Sequence, residues 1–247
     1  MKIFIDPGHG GYDSGAVGNR LREKDLVLDI SLKQKKLFET LGHEVRLSRS
    51  TDVFVNLAKR VYMANIWGAD IFISNHVNSG GGKGEEVWCS INGGTGRVYA
   101  SKVEAQLVML FESRGIKTKR GRHGDYLYVI RNTRMPAILN EFGFIDNVSD
   151  VAKLKNESFR QQLAEAVVKG ITGKSITAVP KQSKSSLKGR YGEITASVLN
   201  VRESNTTNSK VLKQLKKGDK VKIYKQYNNW YSIYPTGCVY AKYIKLI

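Results

Sequence analysis

Two imidazoles in this chain stand where a short apolar run stops. Ile3-Phe4-Ile5 ends in Asp6-Pro7-Gly8-His9-Gly10-Gly11, and Ile71-Phe72-Ile73-Ser74 ends in Asn75-His76-Val77-Asn78. Strands of a parallel sheet present their ends at one edge, so His9 and His76 are placed to converge. A metal held by two His ordinarily takes a carboxylate as third ligand and keeps an open position for water. Glu23 and Asp25 are both candidates for that ligand, and each also suits the first turn of a helix, where the helix dipole favours an acid. A fourth group, Glu141, ends the expected strand Ala137-Ile138-Leu139-Asn140. An acid at a buried strand end is costly unless it is paired or used.

The elements that position these residues follow from periodicity. Pro7 and three glycines stop the first strand, Lys2 to Ile5, so His9 is held by backbone geometry. Leu26, Ile30, Leu37 and Leu41 have helical spacing and end at Gly42. Strands are expected at 44–47, 71–74, 86–91, 126–130 and 137–141. Helices are expected at 57–67, 98–113 and 159–171, the last with Ser158 and Gln161 as a capping box. This alternation describes an α/β domain, a mostly parallel sheet flanked by helices. Residues 174–190 mix Ser, Thr, Lys, Pro and Gly without apolar period, the chemistry of a flexible linker. Beyond them, short β-type runs split by Gly, Asn and Asp turns predict a small all-β barrel over 191–247.

The 247 residues suit one mid-sized domain, 1–173, followed by the small one. The formal charge is +18, and it is unevenly spread. From residue 174 onward 15 Lys and Arg face 3 Asp and Glu, net +12, against net +6 for residues 1–173. Such a field suits a polyanionic partner: nucleic acid, an anionic membrane face or an acidic wall polymer. No run of about 18 apolar residues exists to cross a bilayer. The first residues carry no apolar stretch of the secretory kind, so the chain is expected to be made in the cytoplasm without a signal peptide. Cys89 and Cys238 lie far apart, which argues against a disulfide framework or a Cys-based zinc site.

Five ordered motifs resemble the zinc-dependent N-acetylmuramoyl-L-alanine amidases of bacterial autolysins and phage endolysins. They are Asp6 to Gly11; Glu23-Lys24-Asp25-Leu26; Ser48 to Asp52 with Leu57 and Arg60; Ala69 to Asn78; and Met135 to Asn147. The resemblance covers roughly residues 1–173. It implies that His9, Glu23 and His76 bind zinc, so that Glu23 rather than Asp25 is the third ligand, and that Glu141 is the catalytic carboxylate. Asn140 and Asn75 depart from it, standing where apolar residues are common. Glu85 and Glu86 are expected to line the cleft without being ligands. His43 is expected as a solvated residue at the start of a strand, and His123 as a residue of the 120–125 loop. Residues 190–247 resemble bacterial SH3-like wall-binding domains through Ser197 to Arg202, Leu215 to Val221, Asn229-Trp230-Tyr231 and Ala241 to Ile244. There Cys238 follows Gly237 where that family usually shows Trp.

The implied activity is hydrolysis of the amide between N-acetylmuramic acid and the L-alanine of the stem peptide, with bacterial peptidoglycan and anionic wall polymers as partners and no nucleic acid. Without an export signal, the enzyme is expected to reach the wall only after release, as an endolysin or autolysin does. A zinc peptidase acting within wall peptides would use the same chemistry, and a wall-attached adaptor with a dead catalytic domain would keep the fold alone.

Overall fold

Short apolar runs without alternation, such as Ile3-Phe4-Ile5 and Ile71-Phe72-Ile73, are what a sheet covered on both faces requires. A computed structural model of the chain describes residues 1–175, 190–205, 207, 209–227 and 230–247. It divides into two compact units, Met1–Ile176 and Thr177–Ile247. The expected linker falls largely on residues 176–189, outside the described residues.

The first unit is built on six strands: β1 (Lys2–Pro7), β2 (Glu44–Leu47), β3 (Ile71–Asn78), β4 (Glu85–Trp88), β5 (Ser113–Lys117) and β6 (Ala137–Phe144). Their order across the sheet is β2-β1-β3-β6-β4-β5. The pairs β1–β2, β1–β3, β3–β6 and β4–β5 are parallel, and β4 runs antiparallel to β6. The helices are α1 (Glu23–Thr40), α2 (Leu57–Trp67), α3 (Gly94–Leu107), α4 (Tyr128–Asn132), α5 (Val148–Lys155) and α6 (Glu157–Thr172). Alternate residues of one strand feed opposite cores. Ile3, Ile5, Ile71 and Ile73 pack with Val27 and Ile30 of α1 and Val167 and Ile171 of α6. Phe4 and Phe72 pack on the other face with Val61 and Ala64 of α2 and Val129 of α4.

Three expectations are corrected. Tyr126–Ile130 is not a strand; it leads into the short helix α4, whose adjacent Val129 and Ile130 are both buried. A short apolar run carries no period that separates one helical turn from a strand. The helix expected over 98–113 starts a turn earlier and stops at Leu107, and Ser113 opens β5. Finally, α6 is capped by Asn156, whose side chain accepts from the Ser158 amide at 2.9 Å, and not by Ser158.

The second unit is all-β among the described residues apart from a single 3-10 turn, Ala241–Tyr243. Its strands are β7 (Tyr191–Ile194), β8 (Val198–Arg202), β9 (Val211–Lys216), β10 (Lys220–Tyr227), β11 (Trp230–Ile233), β12 (Cys238–Tyr240) and β13 (Ile244–Leu246), ordered β9-β8-β12-β11-β10-β7-β13. Ile194, Leu199, Val201, Ile223, Ile233 and Val239 form its core.

Candidate active site

Register puts the polar strand ends side by side. Pro7 of β1 pairs with Asn75 of β3, and His76 of β3 pairs with Glu141 of β6. His9, two residues past β1, adopts a left-handed φ of 57°, a conformation uncommon for a side chain of its size. Gly8 and Gly10 allow this turn. A Cβ on Gly8 would lie 2.3 Å from His76 Cε1, and one on Gly10, where φ is 126°, would lie 2.2 Å from the Val53 carbonyl oxygen. The loop thus passes directly against the second imidazole.

Two buried arginines clamp this loop by its carbonyl groups. Arg49 donates to Pro7 O at 3.1 Å, Gly8 O at 2.7 Å and Lys24 O at 2.8 Å. Arg60 donates to Pro7 O at 2.6 Å, His9 O at 2.7 Å and the Asp6 carboxylate at 2.7 Å. Burial alone would push Asp6 up, but Arg60 and the Ser48 hydroxyl bond more than offset it, so Asp6 sits below the usual carboxylate range. The ion pair is completed by hydrogen bonds, as a buried charge requires.

Glu23 opens α1 and turns inward. Its carboxylate lies 2.8 Å from His76 Nδ1 and 3.2 Å from His9 Nε2, and it accepts from the amides of Val77 at 3.0 Å and Ala16 at 2.8 Å. Burial opposes its charge, but the two imidazoles outweigh burial and hold its pKa well below normal. Asp25, two residues on, faces out and pairs with Arg22 at 2.7 Å. His9 Nδ1 bonds Asp13 at 2.9 Å, and its pKa is raised because Glu23 and Asp13 outweigh burial. Among the described residues, His9, Glu23 and His76 form the group whose donor atoms lie within 4.8 Å of one another. Two imidazoles and a carboxylate are a donor set suited to zinc, and Gly15, whose Cβ would meet Glu23 and His9 at 2.6 Å, leaves space for them.

Glu141 lines a cavity of about 730 Å³ together with His9 and His76. Its Oε2 is buried without a hydrogen-bond partner. Burial, then the charges of Glu23 and Glu86, raise its pKa well above the carboxylate norm. The rest of the cavity wall is largely apolar, with Phe54, Val55, Leu57, Leu127, Tyr128 and Leu139.

The remaining candidates are placed elsewhere. Glu86 pairs in register with Glu141 and accepts from Arg114 Nε at 2.7 Å. Glu85 is fully buried on the opposite face of β4, so it does not line the cleft. His123 is exposed in its loop. His43 is not solvated: its ring is half-buried beside Phe38, with Nδ1 3.3 Å from the amino terminus. The two unusual asparagines meet, Asn140 Nδ2 donating to Asn75 Oδ1 at 3.0 Å while Asn75 donates to Ser31 and Gln34. Asp13 was missed by sequence reasoning, and its i, i+4 spacing from His9 was the signal available for it. Arg49 and Arg60 stood in the third motif, but their role as a clamp on carbonyl groups was not read from it.

Residues 3–173 match the family described as N-acetylmuramoyl-L-alanine amidase, and residues 197–245 match the bacterial SH3 domain. Over 176 residues the chain is 45% identical to the sporulation-specific N-acetylmuramoyl-L-alanine amidase of Bacillus subtilis (strain 168), covering 69% of this chain and 67% of that protein. It is 42% identical over 176 residues to the endolysin of Bacillus phage SPP1, covering 68% of this chain and 64% of the endolysin. Among solved structures, the catalytic domain of CwlV, an N-acetylmuramoyl-L-alanine amidase from Bacillus (Paenibacillus) polymyxa var. colistinus, is similar with a TM-score of 0.64 and 33% identity. That likeness covers 70% of this chain and 96% of the other.

Proposed function

Since the chain belongs to the N-acetylmuramoyl-L-alanine amidase family and is a peptidoglycan hydrolase, we propose that His9, Glu23 and His76 hold zinc and that Glu141 moves the proton. The bond broken is the amide between the lactyl group of N-acetylmuramic acid and the L-alanine of the stem peptide. The observation that carries this reading is the convergence of those three donors with Glu141 on one cavity.

Zinc with three protein ligands supplies an acidified water near neutral pH and a Lewis acid for the scissile carbonyl. Asp13 accepts the Nδ1 proton of His9 and so turns the Nε2 lone pair toward Glu23 and His76. Arg49 and Arg60 hold the His9 loop from behind. Glu141 takes a proton from the attacking water and hands one to the departing L-alanine nitrogen. The apolar walls keep bulk water from that transfer.

Residues 1–173 are the catalytic domain in this reading, 174–190 the linker, and 191–247 an SH3-like domain that holds the enzyme on the wall through anionic polymer. No described helix is long and apolar enough to cross a membrane. The protein acts on the cell wall as a lysin of the endolysin or autolysin kind.

Metal analysis joined to turnover tests the assignment. The wild-type chain is expected to bind about one zinc ion, His9→Ala and Glu23→Gln to lose it, and Glu141→Gln to keep it while wall hydrolysis slows about 10²- to 10⁴-fold. Full activity in Glu141→Gln, or zinc retained by both ligand variants, would contradict it.

A further inference from the structure

The site has two unlike ends. The sheet order lays out along one edge the loop after β2, His9 after β1, His76 on β3, Glu141 on β6, Glu86 on β4 and Arg114 on β5. At the first end Phe54 lines the cavity with His9 and Glu141, and the Tyr12 ring stacks on it with centroids 4.2 Å apart at 28°. Tyr12 is 83% exposed and Phe54 39%. Their loops are fixed to each other: the Gly11 amide donates to Asp52 at 2.8 Å, and Lys24 Nζ bonds both Gly11 O and Asp52 at 2.7 Å. A stacked aromatic pair is therefore held open beside the metal donors, its rings already oriented.

The other end is charged. Arg114, 40% exposed, lies over the Phe144 ring and is tied through Nε to Glu86, beside which Asn78 donates at 3.3 Å. The scissile amide joins two halves that differ in the same way. A saccharide ring has an apolar face that packs on an aromatic ring, whereas a stem peptide carries carboxylates and amides.

We infer that the muramoyl sugar stacks on the Tyr12–Phe54 pair and that the stem peptide runs past Glu141 toward Arg114, whose guanidinium takes a peptide carboxylate. This rests on the amidase reading and adds to it an orientation of the substrate. Tyr12 and Phe54 then set affinity for the glycan half, and Arg114 for the peptide half.

The two reaction products separate the halves. Peptide-free glycan and free stem peptide are each used as a competitive inhibitor of hydrolysis of a soluble disaccharide-peptide by the full chain. Such an inhibition constant reads the catalytic cleft and not the wall-binding unit. Tyr12→Ala is expected to raise the glycan constant about three- to tenfold and leave the peptide constant unchanged, with Tyr12→Phe restoring the glycan value. Arg114→Ala is expected to do the reverse. Equal rises for both products, the opposite pattern, no change, or a wild-type enzyme that glycan does not inhibit would overturn the orientation. A wild-type chain that frees no L-alanine amino groups from walls would overturn the amidase reading instead.

Discussion

Glu85 and Glu86 are neighbours, and a strand sends them to opposite faces. Glu86 meets Arg114, whereas neither oxygen of the buried Glu85 finds a hydrogen-bond donor; Ser113, paired with it across β4 and β5, gives its hydroxyl to Glu104. Burial, with the charges of Glu104 and Glu86, outweighs the opposing pull of the nearby Ser113 hydroxyl and pushes Glu85 up to about 7 from an ordinary 4.5. Below about pH 4.5 the folded and unfolded chains both hold this proton, so its ionisation costs no stability there. Between about 4.5 and 7 only the unfolded chain ionises, and stability falls by about 3 kcal/mol, a loss that persists above 7. Glu85→Gln is therefore expected to raise the urea midpoint of the first unit at about pH 8 and to lose that advantage toward about pH 4.5, followed by the helical circular-dichroism signal. An advantage independent of pH would contradict this. The same burial explains what could be read from sequence at this scale. His9, His76 and Glu141 are legible because each follows an apolar run. Glu23 and Asp25 were inseparable by residue type and position, and the family resemblance alone chose between them; in the structure the turn of α1 sends Glu23 to the imidazoles and Asp25 to Arg22. Arg49 and Arg60 act on carbonyl groups, which leave no trace in composition.

At the scale of elements, the site depends on how closely β1 and β3 can approach past their last paired residues. Gly8 is where that approach is tightest, since any Cβ there would enter the His76 ring. Gly8→Ala is expected to fold, because its φ lies outside the left-handed region, yet to displace His76 and weaken zinc binding at least about tenfold in a metal-competition assay, as outer positioning groups do. Unchanged zinc affinity would show that the imidazole is not held by this contact. Strand positions were legible in the continuous apolar runs but their ends were not: β3 and β6 run on to Asn78 and Phe144, past the expected 74 and 141, because pairing with neighbouring strands carries the polar residues along. The α4 turn was not, since Leu127, Val129 and Ile130 carry no period that separates a helical turn from a strand. Asn75 and Asn140 were visible as departures from the family pattern, but their cross-strand bond depends on the β3–β6 register, which no single segment encodes.

For the whole molecule, the proposed anchoring role of the second unit is tested through the uneven charge. Residues 174–247, which include the second unit, carry net +12, and Lys213, Lys216, Lys220 and Lys222 lie exposed on β9 and β10. Raising salt from about 0.1 to about 1 M shortens the screening length from about 10 to about 3 Å. Retention on purified walls is expected to fall accordingly, while hydrolysis of a soluble disaccharide-peptide changes much less. Salt-independent retention would remove the electrostatic role. The change of texture at residue 174, from alternating α/β pattern to short β runs, made the second unit legible, and the match of residues 197–245 to the bacterial SH3 domain agrees with it. The most direct measurement of the central claim is mass analysis of wall digests made with the purified chain, with and without a chelator. The predicted products carry a regenerated lactyl carboxyl on muramic acid and a free α-amino group on L-alanine; they vanish with chelator and return with zinc. Released D-amino acids, or products unaffected by chelator, would contradict it.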